Sequence, residues 1–69
     1  MKPLTGREFV RLIEARGWGL LRVNGSHHIY GRPGDTARLS VPIHANKPLK
    51  LGLQRHLAKL AGITDADLG

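Results

Sequence analysis

Cysteine is absent from these 69 residues. That excludes a disulfide framework and a thiolate zinc site, and it fits a reducing, cytoplasmic setting. Acidic residues number only five, too few to suggest a carboxylate-rich metal site, and none are paired in a way that would serve glycosidic chemistry. Long hydrophobic runs are missing as well. Nothing approaches the length of a membrane span, and no charged start is followed by an apolar stretch, so a soluble chain that is neither exported nor membrane-bound is expected. Glycine loops of the phosphate-cradling type and any Ser-His-Asp set at supporting spacing are also lacking.

What remains is short and basic. A chain of this length can form one domain, residues 1–69, and buries only about 60% of the surface its unfolded form exposes. Its core contributes roughly 3–5 kcal/mol net, and with disulfides and thiolate metals excluded, a partner is the remaining source of support. Eleven Lys and Arg against five Asp and Glu give +6, an excess that points to an acidic partner, most commonly nucleic acid.

Thr5-Gly6-Arg7-Glu8 is a capping box, and Phe9, Leu12 and Ile13 follow at helical spacing until Gly17 stops the run. Residues 18–24 are short, apolar and β-like, with Trp18 read as core or rim packing. Asn24-Gly25-Ser26 then supplies a tight turn. Residues 27–32 form a second strand, Pro33-Gly34-Asp35 a second turn, and residues 37–42 a third strand. A connecting loop over 43–48 leads into a helix marked by Leu49, Leu53, Leu57 and Leu60 and ended by Gly62; the acidic tail beyond Ile63 is expected to fray. The order α-β-β-β-α predicts an α+β fold: a three-stranded antiparallel sheet with two helices on one face.

Period-two alternation sorts Leu21, Val23, Ile29, Leu39 and Val41 toward the helices. Leu20, Arg22, His28, Tyr30, Arg32, Arg38 and Ser40 would then form a basic outer face suited to nucleic acid or an acidic protein. Ordinary solvated strand residues would give the same pattern.

Four histidines occur, His27, His28, His44 and His56, at spacings that make no recognisable metal site; neighbours on a strand face opposite ways and cannot share an ion. Neither a metal nor another cofactor is expected. In Asn24-Gly25-Ser26-His27-His28 a turn delivers an imidazole beside exposed backbone amides. Such amides can hold phosphate oxygens, and histidine, titrating near pH ~6.5, can move a proton at neutral pH. Residue types alone leave open both a phosphodiester catalyst and a simple surface histidine. His56, mid-helix beside basic residues, reads as solvated.

The run Gly25-Ser26-His27-His28-Ile29-Tyr30, then Val41-Pro42-Ile43-His44, then Lys50-Leu51-Gly52 and Leu60-Ala61-Gly62-Ile63 closely resembles the HicA toxin family. The openings Leu4-Thr5-Gly6-Arg7-Glu8 and Gly17-Trp18 match as well, so the likeness covers nearly the whole chain. It implies a fold similar to the double-stranded RNA-binding domain and a toxin, of a stress-response type, that cleaves mRNA and is neutralised by a HicB-type antitoxin. It also implies that the histidine after Gly-Ser, here His27, is catalytic, with Gly25 and Ser26 completing the motif. Leu53 departs from the threonine many relatives carry, which bears on the cap of the second helix.

A metal-free ribonuclease uses the RNA's own 2′-hydroxyl as nucleophile, leaving His27 to transfer a proton as base or acid. Arg22, His28, Tyr30, Arg38, His44 and Lys50 are the residues expected to bind single-stranded or structured RNA or to support the site. His44 could approach the same end of the sheet, and strand alternation sends His28 away from His27. The alternative is a non-catalytic RNA-binding module of the same fold; a third possibility is a purely structural or protein-binding domain.

Overall fold

The Thr5 hydroxyl accepts the Glu8 N–H at 3.2 Å and the Glu8 carboxylate accepts the Thr5 N–H at 2.9 Å, so the capping box starts helix α1, Gly6–Glu14. The structure is a computed structural model and describes residues 2–68. Strands β1 (Gly19–Asn24), β2 (His27–Gly31) and β3 (Leu39–Pro42) follow, then helices α2 (Leu51–Ala61) and α3 (Asp65–Leu68). The strands pair antiparallel in the order β1-β2-β3. This is the expected α+β meander, with β3 two residues shorter at its start than the alternation suggested.

Both long helices contribute to one core. Phe9 and Ile13 from α1 and Leu57, Ala58 and Ala61 from α2 meet Tyr30, Leu39 and Val41 of the sheet, closed by Trp18. The helices run the same way, because Gly6 at the start of α1 lies against the Pro42 carbonyl, while the ends of α1 and α2 meet where Arg16 Nη1 donates to the Gly62 carbonyl. A Cβ on Gly6 would fall on that Pro42 oxygen. Glycine is therefore required here for close approach rather than for turn geometry.

The two sheet faces differ from the alternation read in sequence. Tyr30 pairs with Leu39, and His28 with Val41, whereas Ile29 pairs with Ser40. Directly opposed residues share a face, so Tyr30 and His28 lie on the helix side and Ile29 on the outer side, opposite to expectation. In β1 a bulge between Leu20 and Arg22 shifts the phase. Leu20, opposite Tyr30, and Val23, opposite His28, face the helix side, and Leu21 joins Arg22 outside.

Two further features are additions. Gln54 is fully buried; its side chain accepts the Leu4 N–H at 2.8 Å and donates to the Lys2 carbonyl. With the Leu49 N–H on the Leu4 carbonyl at 2.7 Å and a bridge between Thr5 and Pro48, it straps the chain's start to the start of α2. The acidic tail, expected to fray, forms α3, tied by the Asp67 carboxylate to the Thr64 N–H and to Arg16; Gly69 lies outside the described residues.

Candidate functional site

His27 opens β2 directly after the turn at Asn24-Gly25-Ser26, whose Gly25 adopts φ 63°. An L side chain is strained there, so glycine fixes the turn. The turn is held from the other side: the Ile43 N–H donates to the Ser26 carbonyl at 2.8 Å. That bond joins the β1–β2 turn to the chain leaving β3. From there the backbone folds back tightly, with the Lys47 N–H on the His44 carbonyl at 2.9 Å and Ala45 in the left-handed region at φ 47°, an uncommon conformation for a residue with a Cβ.

These constraints place His27, His44, Lys47 and Lys50 around one pocket of about 380 Å³, with Pro42 and Leu53 among its walls. His27 and His44 are both exposed to solvent. No acidic residue lines the pocket among the described residues. Helix α2 begins at its edge: Lys50 is the N-cap in extended conformation, no side chain caps the helix, and its first turn carries no acid. Leu53 is the third residue of the helix and not its cap, and the first amides of α2 lack a side-chain acceptor. Free amides and the positive end of the helix dipole favour an anion. The arrangement can hold a phosphate and present an imidazole to it.

The other residues expected at the site fall in three places. Gly25 and Ser26 form the turn that carries His27. Arg22 and Arg38 line a separate recess on the outer sheet face with Leu21, Ile29 and Ser40. His28 and Tyr30 are not on that face: His28 is half-buried in a groove between α1 and the sheet beside Arg7, Arg11 and Glu14, and Tyr30 is 3% exposed, its ring part of the core. Burial, aided by the charge of Glu14 and opposed by Arg7, pushes the Tyr30 phenol above its ordinary range. A ring so enclosed offers no platform to a base. Lys47 is the addition that the sequence reading missed; its spacing of three from both His44 and Lys50 in a loop between two prolines was the available signal.

A family model described as the HicA toxin of bacterial toxin-antitoxin matches residues 6–63. The chain belongs to the HicA toxin family. It is therefore a toxin of a toxin–antitoxin system. No curated protein matches the chain. The HicA match spans α1 through Ile63, so the turn bearing His27, the loop bearing His44 and Lys47, and the start of α2 all lie inside it. Among the described residues no group of three or more His, Asp or Glu is placed to hold a metal ion, and no helix is long and apolar enough to cross a membrane.

Proposed function

We propose that this HicA chain is an mRNA endoribonuclease in which His27 transfers a proton at the scissile phosphate, and that a HicB-type antitoxin neutralises it. The observation that carries the reading is the pocket: an exposed imidazole shares it with a second imidazole and two lysines, beside an uncapped helix start and without an opposing carboxylate. Lys47, Lys50 and the first amides of α2 hold the phosphate and stabilise the charge that grows on it. The RNA 2′-hydroxyl attacks phosphorus as its proton passes to one group, and the bond to the 5′-oxygen breaks as that oxygen receives a proton. His27 performs one of these transfers and His44, which lines the same pocket, the other. Arg22 and Arg38 on the outer face give the strand a second place to rest.

The chemistry leaves a 2′,3′-cyclic phosphate or its opened product on one fragment and a 5′-hydroxyl on the other. Mass spectrometry of fragment ends, with and without EDTA, tests it. Expected are those ends, unchanged by chelator, and no cutting where the scissile nucleotide is 2′-deoxy; 5′-phosphate ends or a requirement for divalent ion would overturn the mechanism. A chain that binds RNA and leaves it intact would be the non-catalytic module instead.

A further inference from the structure

The two edges of the sheet are unequal. Strand β3 carries buried Leu39 and Val41, packs against both helices and ends at Pro42. Strand β1 has every residue exposed, including three large aliphatics: Leu20 at 50%, Leu21 at 55% and Val23 at 53%. Among the described residues it pairs only with β2, so its outer row of N–H and C=O groups has no strand beside it there. An exposed edge six residues long, without proline and rich in aliphatic side chains, is what a chain normally avoids unless another strand covers it.

Charge and side-chain type select the occupant. Leu21 borders two recesses, one with Arg22 and Arg38 and one with Arg32 and Arg38, so whatever covers this edge meets arginine on both sides of an apolar centre. RNA gains nothing from Leu20 or Val23, which neither stack on bases nor bind phosphate. A second copy pairing antiparallel about a two-fold axis would bring the two Arg22 side chains near each other and join two chains of +6. An extended segment that alternates acidic and apolar residues satisfies backbone, aliphatic groups and arginines together.

We propose that β1 is the docking edge for the protein partner, which adds an antiparallel strand of alternating acidic and apolar residues along Gly19–Asn24. This rests on the reading that the partner is a HicB-type antitoxin. The added strand runs along to the Asn24–Ser26 turn that delivers His27, and it covers the recess holding Arg22 and Arg38. Partner and RNA then compete for the outer face while the pocket itself stays formed.

The test uses the full chain and the HicB-type protein encoded beside its gene. Hydrogen exchange of the chain alone and in complex should show new protection at alternate amides of β1, and affinity should fall as salt rises. Leu20→Asp and Val23→Asp, each setting a charge against the apolar residues of the added strand on the helix-side face, should weaken the complex more than about tenfold while RNA cleavage without the partner is retained. Cleavage also reports that these variants fold, and exchange on the unaltered chain needs no variant. A complex whose formation leaves β1 amides unprotected overturns the strand assignment alone. Failure of the unaltered chain to form any complex overturns the HicB-type partner and this assignment with it. Protection of β1 by RNA, or by self-association at raised concentration of the chain alone, would also overturn the proposal.

Discussion

At the end of the sheet where β2 leaves, Arg32 pairs with Asp35 at 3.3 Å and stacks over the Trp18 ring at 4.6 Å, while Arg16 pairs with Asp67. At the opposite end His27, His44, Lys47 and Lys50 surround a pocket with no carboxylate among the described residues. Both ends are basic, yet one is neutralised internally and the other is left positive. Helix direction reinforces the contrast. Both long helices start at the His27 end and finish at the Trp18 end, so their dipoles add positive potential where the lysines are and negative potential where the arginines already meet aspartates. A chain with only five acids has placed those that form ion pairs away from the pocket, which leaves the pocket end positive.

The largest expected effect comes from His27. Replacing it with Ala should lower RNA cleavage by about 10²–10⁴, the usual worth of one positioned acid or base, with an unchanged circular dichroism spectrum because the side chain is exposed. Loss of the spectrum, or cleavage at the parental rate, would remove His27 from the chemistry and erase the difference between the ends. His44→Ala should reduce cleavage as well, and a substrate whose leaving group needs no proton should rescue whichever of the two variants, His27→Ala or His44→Ala, lacks the proton donor.

The lysines and arginines sharpen the comparison through binding. Lys47→Ala with Lys50→Ala should reduce the slope of log RNA affinity against log salt by about 0.7 for each phosphate that is no longer neutralised. Arg22→Ala with Arg38→Ala tests the outer face by the same measurement. Arg16→Ala with Arg32→Ala should leave the slope nearly unchanged and instead lower stability slightly, by roughly 0–1 kcal/mol per pair given the exposure of these partners. Equal slopes for all three double variants would mean that RNA does not distinguish the ends.

Legibility followed the range over which each feature is decided. The α1 capping box, the Asn24-Gly25-Ser26 turn and the α-β-β-β-α order are set by residues close in sequence, and each appears where composition placed it. Facing was misread because it depends on the β2–β3 register and on a bulge at Leu21, neither of which leaves a local mark. Alternation in β1 looks regular across a position where the backbone is not. Tyr30 and Ile29 exchange sides in consequence, which moves an aromatic from the expected binding face into the core. Gln54 was invisible for a related reason: its partners, Leu4 and Lys2, lie about fifty residues away. The approach of His44 to the His27 end was readable, since the loop after the third strand leaves from there; that Lys50 and Lys47 join them needed the loop geometry.

Gln54 holds the strap that positions the start of α2, and so supports the pocket end from within the core as Arg16 ties the helix ends at the other from the surface. Gln54→Leu removes the acceptor of the buried Leu4 N–H and should cost about 1–3 kcal/mol, a large share of a small domain's stability. Urea denaturation gives the stability change. RNA cleavage by the fraction still folded should fall as well, because α2 loses the side-chain part of its tie to residues 2–4; a stable variant with full activity would show that the pocket does not depend on Gln54.

The smallest effect lies between the two ends, at Tyr30. Burial beneath α1 raises its phenol above the ordinary tyrosine range, with Glu14 adding to the shift and Arg7 opposing it. The unfolded chain, lacking that burial, releases the phenolic proton at lower pH than the folded chain. The stability Tyr30 contributes as a neutral phenol is therefore fully present below the unfolded value of about 10, and it is lost as pH rises through the folded value. Denaturation midpoints measured on either side of that range should fall for the parent. They should fall less for Tyr30→Phe, which keeps the ring in the core and removes the proton. Glu14→Gln removes one of the raising influences while burial and Arg7 stay, so the decline should begin at the same pH, set by the unfolded chain, but end at a lower one and be smaller. Parallel declines in the parent and in Tyr30→Phe would mean that the buried phenol does not govern stability at high pH.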